Sequence, residues 1–258
     1  MYMTIIGMGL ALGAVLLSQV MEGASLQAMY QPTALLIVSG GTMGAVIAQS
    51  SAKDFWQAVQ MLKWLIVPPI SGRTDYLNEI VKWSQIAHRD GSLKLDELIS
   101  AIEDPMLKSG VEMIVDRYEP DYIRDTLLMD VRIRDARLKG AAKMWEAAGG
   151  YAPTIGILGS VLGLLQVMGS FQDPAKLTAG VAVSFVATVY GLAFANLLFL
   201  PIAARLRSII FELTLRDELR IEGLTMIALN KQTRLVERTL NAIAGKAENV
   251  VQLKRRTV

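Results

Sequence analysis

The chain alternates between long runs free of charge and long runs that carry charge at almost every helical turn. Four apolar runs, at 4–21, 33–51, 149–171 and 177–204, contain no Asp, Glu, Lys or Arg. Each is near the ~20 residues a helix needs to cross a bilayer core. The stretch Glu22–Pro32 joins the first two, and a shorter one around Asp173 and Pro174 joins the last two. The pattern therefore predicts two transmembrane hairpins. The third run, GGYAPTIGILGSVLGLLQVM, organises the rest. Gly149, Gly150, Gly156, Gly159 and Gly163 let another helix approach closely. Pro153 removes a backbone donor and leaves the carbonyl of Gly149 without its usual partner.

The charged runs also read as helices. Residues 53–67, with Trp56 and Trp64 beside Lys53 and Lys63, fit a helix lying in the membrane interface and equally a plain amphipathic core helix. Pro68 and Pro69 end it. A helix is expected over 74–89, stopped by Gly91. Two short ones are expected over 93–103 and 106–117, separated near Asp104 and Pro105. Pro120 suits the first turn of a long helix, 121–147, that leads into the third run. The fourth run continues as helix to about 230, a second tail helix reaches about 246, and LKRRTV is a loose basic end. The fold class is all-α: four transmembrane helices in two hairpins, with a helical domain between the second and third and a helical tail. The domains are 1–52, 53–148, 149–204 and 205–258.

Composition narrows the class. At 52% hydrophobic and 19% charged over 258 residues, the chain is too apolar for an ordinary soluble domain. The start lacks the basic region of a signal peptide, so the first run is expected to stay as an anchor. A net charge of +2 argues against a nucleic-acid partner. With no cysteine and one histidine, a metal site is improbable, and no phosphate-binding lysine follows the glycines of GSVLGLL. No catalytic residue is expected, and the chain is not read as an enzyme. Lys176 is the only Lys or Arg outside 52–148 and the tail after 204. Lys53, Lys63, Lys139, Lys143, Arg205 and Arg207 flank the membrane, so the positive-inside rule makes the large loop and both termini cytoplasmic.

An ion pathway through a membrane ordinarily uses carboxylates. These spans have none, but they carry hydroxyls at Ser160, Thr188 and Tyr190. If ions pass, the carboxylate must come from another subunit. Ser160 lies seven residues beyond Pro153, about 10 Å along a helix. The competing reading of Ser160 and Thr188 is back-bonding to their own helix or small-residue packing, and the residues alone favour it. Isolated prolines such as Pro153 and Pro201 are common in membrane helices.

The third run and the fourth, VATVYGLAFANLLFLPIA, resemble the MotA/PomA family of flagellar stator subunits, within the MotA/TolQ/ExbB superfamily. The stretch AHRDGSLKLDELISAIEDPMLKSGVEMIVDRYEPDYIRDTL and the order of hairpin, loop, hairpin and tail match it as well. The resemblance covers nearly the whole chain. It implies an inner-membrane homopentamer around two MotB/PomB-type single-span subunits, which bring the ion-binding aspartate. Proton or sodium flow would then turn the ring against a rotor switch protein, serving motility and chemotaxis, with lipid around it and no other cofactor. Pro153 and Pro201 match the family's two functional prolines, and Thr188 its hydroxyl near the ion site. Ser160 stands where many members have Thr, and Ala187 where some have a second Thr; these departures leave H+ and Na+ both open. His88, Arg89, Asp96 and Glu97 stand at the rotor contact. Histidine is only partly charged near neutral pH, so Arg89 is expected to carry most of the contact. Its local alternative is a cation at its own helix C-terminus. The runner-up is an ExbB/TolQ-type energiser; a weaker third reading is a membrane scaffold without ion coupling.

Overall fold

The computed structural model describes residues 3–21, 23, 29–69, 75–169 and 174–256. Among these there are helices and no strands. They are α1 (Met3–Met21), α2 (Pro32–Gln49), α3 (Ala52–Met61), α4 (Asp75–Asp90), α5 (Asp96–Ile99), α6 (Pro105–Val115), α7 (Pro120–Met168), α8 (Pro174–Ala193), α9 (Leu200–Ala228) and α10 (Thr233–Arg256). A π-helical segment, Phe194–Phe199, joins α8 to α9. Three described stretches are long and apolar enough to cross a membrane, within α2, within α7, and from Gly180 into α9. Ile6–Met21 of α1 is a shorter apolar helix.

The expected helix 93–103 is broken: a 3₁₀ turn, Ser92–Leu95, leads into the single α-turn of α5. Gly91 enters at φ +91°, and Asp104 ends the segment by capping the next helix through Met106 N at 3.0 Å. The second run ends at Gln49, because Ser51 turns extended and caps α3 through Asp54 N at 3.1 Å. The second tail helix does not end near Lys246, and the end expected to be loose is helical as far as Arg256: α10 runs on through a sequence with no Pro and no Gly after Gly245. Thr257 and Val258, the last of that expected loose end, lie outside the described residues, as do Asp173 and most of Glu22–Pro32.

The chain divides into two compact units, residues 1–67 with 138–207, and 68–137 with 208–258. In the first, α7 and α8 meet through small residues. A methyl added to Gly191 would lie 2.6 Å from the Ala152 carbonyl oxygen and 3.1 Å from Gly156 Cα. One added to Gly163 would lie 2.9 Å from the Gly180 carbonyl oxygen, and one added to Gly159 2.9 Å from Ala187 Cβ. The contacts therefore run 152 to 191, 156 to 191 and 187, 159 to 187, and 163 to 180, an antiparallel ladder. Both strips repeat at i, i+4, i+7 and i+11, which is one helix face. α2 packs alongside, with Ile37 against Gly159 and Ile155 against Gly41.

The second unit has an ordinary apolar core. Ile123, Leu127 and Val131 of α7 pack with Leu107, Val111 and Ile114 of α6, Ile221 and Leu224 of α9, and Val236 and Leu240 of α10. Two helices here end on a left-handed residue. Arg117 (φ 61°) and Asn230 (φ 52°) turn the chain so that Tyr118 N reaches Met113 O and Lys231 N reaches Met226 O, each at 3.0 Å. Asp217 is fully buried and ion-paired with Arg134, with Arg216 at 3.5 Å and with Arg220 at 3.6 Å. Arg220 also holds Asp104 at 3.0 Å, tying α9 to the cap of α6.

Gly191→Val should destabilise the α7–α8 contact by about 1–3 kcal/mol, read as a fall in the melting temperature of the detergent-solubilised protein. Gly140→Ala, where a methyl meets nothing within 4 Å, should leave it unchanged or raised. Asp217→Asn leaves three arginines around a neutral amide and should cost about 3–5 kcal/mol, seen as a loss of folded protein at constant expression.

Candidate functional site

Two groups of the expected residues lie in different units. Ser160, Thr188, Tyr190, Pro153 and Pro201 belong to the first, and His88, Arg89, Asp96 and Glu97 to the second.

Ser160 and Thr188 are linked through a residue that the sequence reading passed over, Ser184. It sits one turn before Thr188 and is buried against α7. Its hydroxyl lies 2.9 Å from the Ser160 carbonyl and 3.1 Å from the Gly180 carbonyl, and it donates to one of them. Its own carbonyl accepts from Thr188 Oγ1 at 3.5 Å. Thr188 thus back-bonds weakly to its own helix. The half-buried Ser160 hydroxyl has no hydrogen-bond partner among the described residues. The Ser184–Thr188 spacing of i, i+4 was the available signal.

Tyr190 is engaged elsewhere. Its hydroxyl donates to the Met29 carbonyl and accepts from Gln31 N at 3.4 Å, bracing the entry to α2. Its ring begins a row of aromatics: Tyr190 to Phe194, Phe194 to Phe199, and Phe199 to Trp145, each 6.1 Å between centroids.

The prolines meet indirectly. Pro153 takes the donor from the Gly149 carbonyl, and Gly149 abuts Leu200, the neighbour of Pro201. A methyl on Gly149 would fall 2.6 Å from Leu200 Cδ2 and 3.6 Å from Leu200 N. Next to Pro201 the helix changes register: Leu200 N bonds Ala195 O, five residues back. Pro201 has no N–H, so Leu197 O receives nothing from it in the α register, nor Asn196 O in the π register. Asn196, also passed over in the sequence reading, is exposed in this segment and donates from Nδ2 to Leu192 O at 3.0 Å. The extra residue of the π turn brings Phe199 under Phe194, while Leu198 turns outward.

In the second unit, His88 and Arg89 occupy the last turn of α4. Arg89 is 79% exposed and donates to both Asp90 oxygens, from Nε at 3.0 Å and Nη2 at 2.8 Å. The hydrogen bond to Arg89, followed by its charge, holds the Asp90 carboxyl below the usual range; the Arg89 pKa is raised. Lys94 pairs with Glu97, and that hydrogen bond raises the ammonium. Asp96 opens α5. The result is an exposed surface of both signs whose charges are satisfied locally and can be exchanged for a partner's.

Chemically, the first unit offers hydroxyls and carbonyls at a close helix contact. Among the described residues no three acidic, His or Cys side chains cluster to hold a metal. The fold and site are those of a membrane-helix protein: apolar helices long enough to cross a bilayer, with hydroxyls and carbonyls where two of them meet. Residues 98–218 match the MotA/TolQ/ExbB proton channel family, and residues 5–90 match the motility protein A N-terminal family. Motility protein A of Bacillus subtilis is 30% identical over 242 residues, 92% of this chain and 88% of that protein. Chemotaxis protein PomA of Vibrio alginolyticus is 25% identical, with 90% of each chain covered. Among solved structures, C. jejuni MotAB matches at TM-score 0.87 and 25% identity, covering 94% of this chain and 95% of that one. The flagellar MotAB stator complex of B. subtilis matches at 0.84 and 28%, covering 93% and 95%. The chain belongs to the MotA/TolQ/ExbB proton channel family, as a flagellar stator A subunit, and it is not an enzyme. The match to the motility protein A N-terminal family over residues 5–90 favours the stator reading over the ExbB/TolQ runner-up.

Tyr190→Phe keeps the ring and removes the hydroxyl. It should lower thermal stability by about 1 kcal/mol and leave the ion-driven speed of any motor that assembles unchanged. A changed dependence on the ion would instead return Tyr190 to the pathway.

Proposed function

We propose that this chain assembles, as five copies around two MotB/PomB-type single-span subunits, into an inner-membrane complex that turns ion flow into torque. The partner's aspartate carries the ion, H+ or Na+, past the wall formed by α7 and α8. Both termini and the loop between α2 and α7 are cytoplasmic, and the surface around His88, Arg89, Asp96 and Glu97 pushes the rotor switch protein. The carrying observation is the wall itself: a glycine-tight helix pair with the Ser160 hydroxyl, which has no hydrogen-bond partner among the described residues, and no carboxylate in its charge-free runs. The relatives' names support the assembly, since two similar structures are MotAB complexes.

The prolines supply the coupling. Each leaves a carbonyl without its helical donor, and the Gly149–Leu200 contact places one deprived turn against the neighbour of the other. A change in the partner's charge beside this pair can shift α7 and α8 together, because neither backbone has room to move independently. Tyr122, Met129 and Ile133 are exposed along the charged part of α7, with Tyr118 exposed just before it, an apolar surface suited to self-association.

Deletion of the gene should give cells with flagellar filaments that do not turn. Pro153→Leu should leave the protein in the membrane and abolish rotation. Arg89→Glu should reduce torque at unchanged membrane amount; loss of protein would assign Arg89 to helix stability. Motor speed against sodium at fixed pH identifies the ion: dependence on sodium means Na+, and indifference means H+.

A further inference from the structure

We propose that the outer face of α3 is a binding site for acidic phospholipid headgroups. Its inner face fixes where it lies. Ala58 and Met61 are buried, and Trp145 Nε1 donates to the Ala58 carbonyl at 3.1 Å. Ala58 and Val59 line a small apolar cavity with Val46 of α2 and Ala148 of α7. These contacts hold α3 beside residues 145–148, directly before Gly149, where the charge-free run of α7 begins. That is the level at which hydrocarbon gives way to headgroups.

The outer face carries the chemistry. The helix expected over 53–67 gives way after Met61 to a 3₁₀ turn, Leu62–Leu65; Lys53, Trp56 and Gln60 of α3 and Lys63 of that turn are all exposed and follow one another at intervals of three, four and three. Trp56 is 64% exposed, in a position where its ring can lie among glycerol and headgroup atoms. The two ammonium groups are compact charges suited to phosphate. Asp54, the one acid on the helix, is turned about 100° from Lys53 and is occupied by the Ser51 hydroxyl at 2.7 Å. Positive charge without a facing acid, at the edge of a bilayer that the neighbouring spans already occupy, selects an anionic lipid over a protein partner. The inference rests on the membrane placement of those spans.

The test uses the complex with its single-span partner in nanodiscs of phosphatidylcholine. The discs hold an equal share of brominated phosphatidylglycerol or of brominated phosphatidylcholine. A lysine at the surface enriches acidic lipid roughly fivefold, so tryptophan quenching should be at least about twice as strong with the brominated phosphatidylglycerol. Trp56→Phe together with Trp64→Phe should remove that excess, and the double variant Lys53→Gln, Lys63→Gln should equalise the two lipids while Trp56 stays quenched. Equal quenching of the unmodified complex overturns the proposal. So does an excess that survives the loss of both tryptophans, which would place the acidic lipid away from this face. Carbonate washing of native membranes separates the premises: retained protein without lipid preference sinks the lipid site alone, and released protein sinks the membrane placement as well.

Discussion

The approach of two helix backbones at Gly156 and Gly191 is the constraint on which the membrane part depends. Lipid tails are as apolar as leucine, so burial gives helices little reason to associate inside a bilayer. What remains is close packing, and close packing needs residues without bulk. The strips Ala152, Gly156, Gly159, Gly163 and Gly180, Ser184, Ala187, Gly191 meet that need over three turns of each helix. The same contact puts Ser184 against the Ser160 carbonyl and Gly149 against Leu200.

A proline within such a helix could be absorbed as a local bend. Here the chain takes one extra residue into the turn before Pro201, and the change of register has a packing consequence. Phe199 falls under Phe194 and against Trp145, and the row from Tyr190 to Trp145 crosses the irregular segment. Packed rings, stacked at either end of the row and tilted between Phe194 and Phe199, hold a stretch of backbone that has left the regular α register, which is how an irregular turn persists within an apolar span.

Much of this was legible in the sequence. The charge-free runs set the membrane helices, Pro120 the start of the long one, and Asp104–Pro105 the break before α6, because each signal is local chemistry. Gly156 and Gly159 were readable as contact residues on α7, but their partners on α8 were not, since pairing is settled by which faces meet. Ser184 carries no signal beyond its i, i+4 spacing from Thr188, because its contact with the Ser160 carbonyl depends on which faces of α7 and α8 meet. The π segment left no signal beyond Pro201, because Phe194–Phe199 is an ordinary apolar stretch whose register depends on the rings it packs against. Tyr190 was read as a pathway hydroxyl because the reach of its side chain to Met29 and Gln31 is a tertiary fact.

The two units solve the problem of holding helices together by opposite means, and the difference follows from solvent. In the second unit water supplies the hydrophobic drive, so leucine and isoleucine fill the core and a charge can be buried if it is paired. Asp217 is surrounded by Arg134, Arg216 and Arg220, and Arg220 continues to Asp104. Such a cluster contributes less to stability than an apolar core of equal volume, yet it tolerates few alternative arrangements, because any shift strands a charge. In the first unit a buried charge would face hydrocarbon, so definition comes from backbone contact instead. The first unit is thus held by contacts too close to slide, and the second by charges too costly to separate.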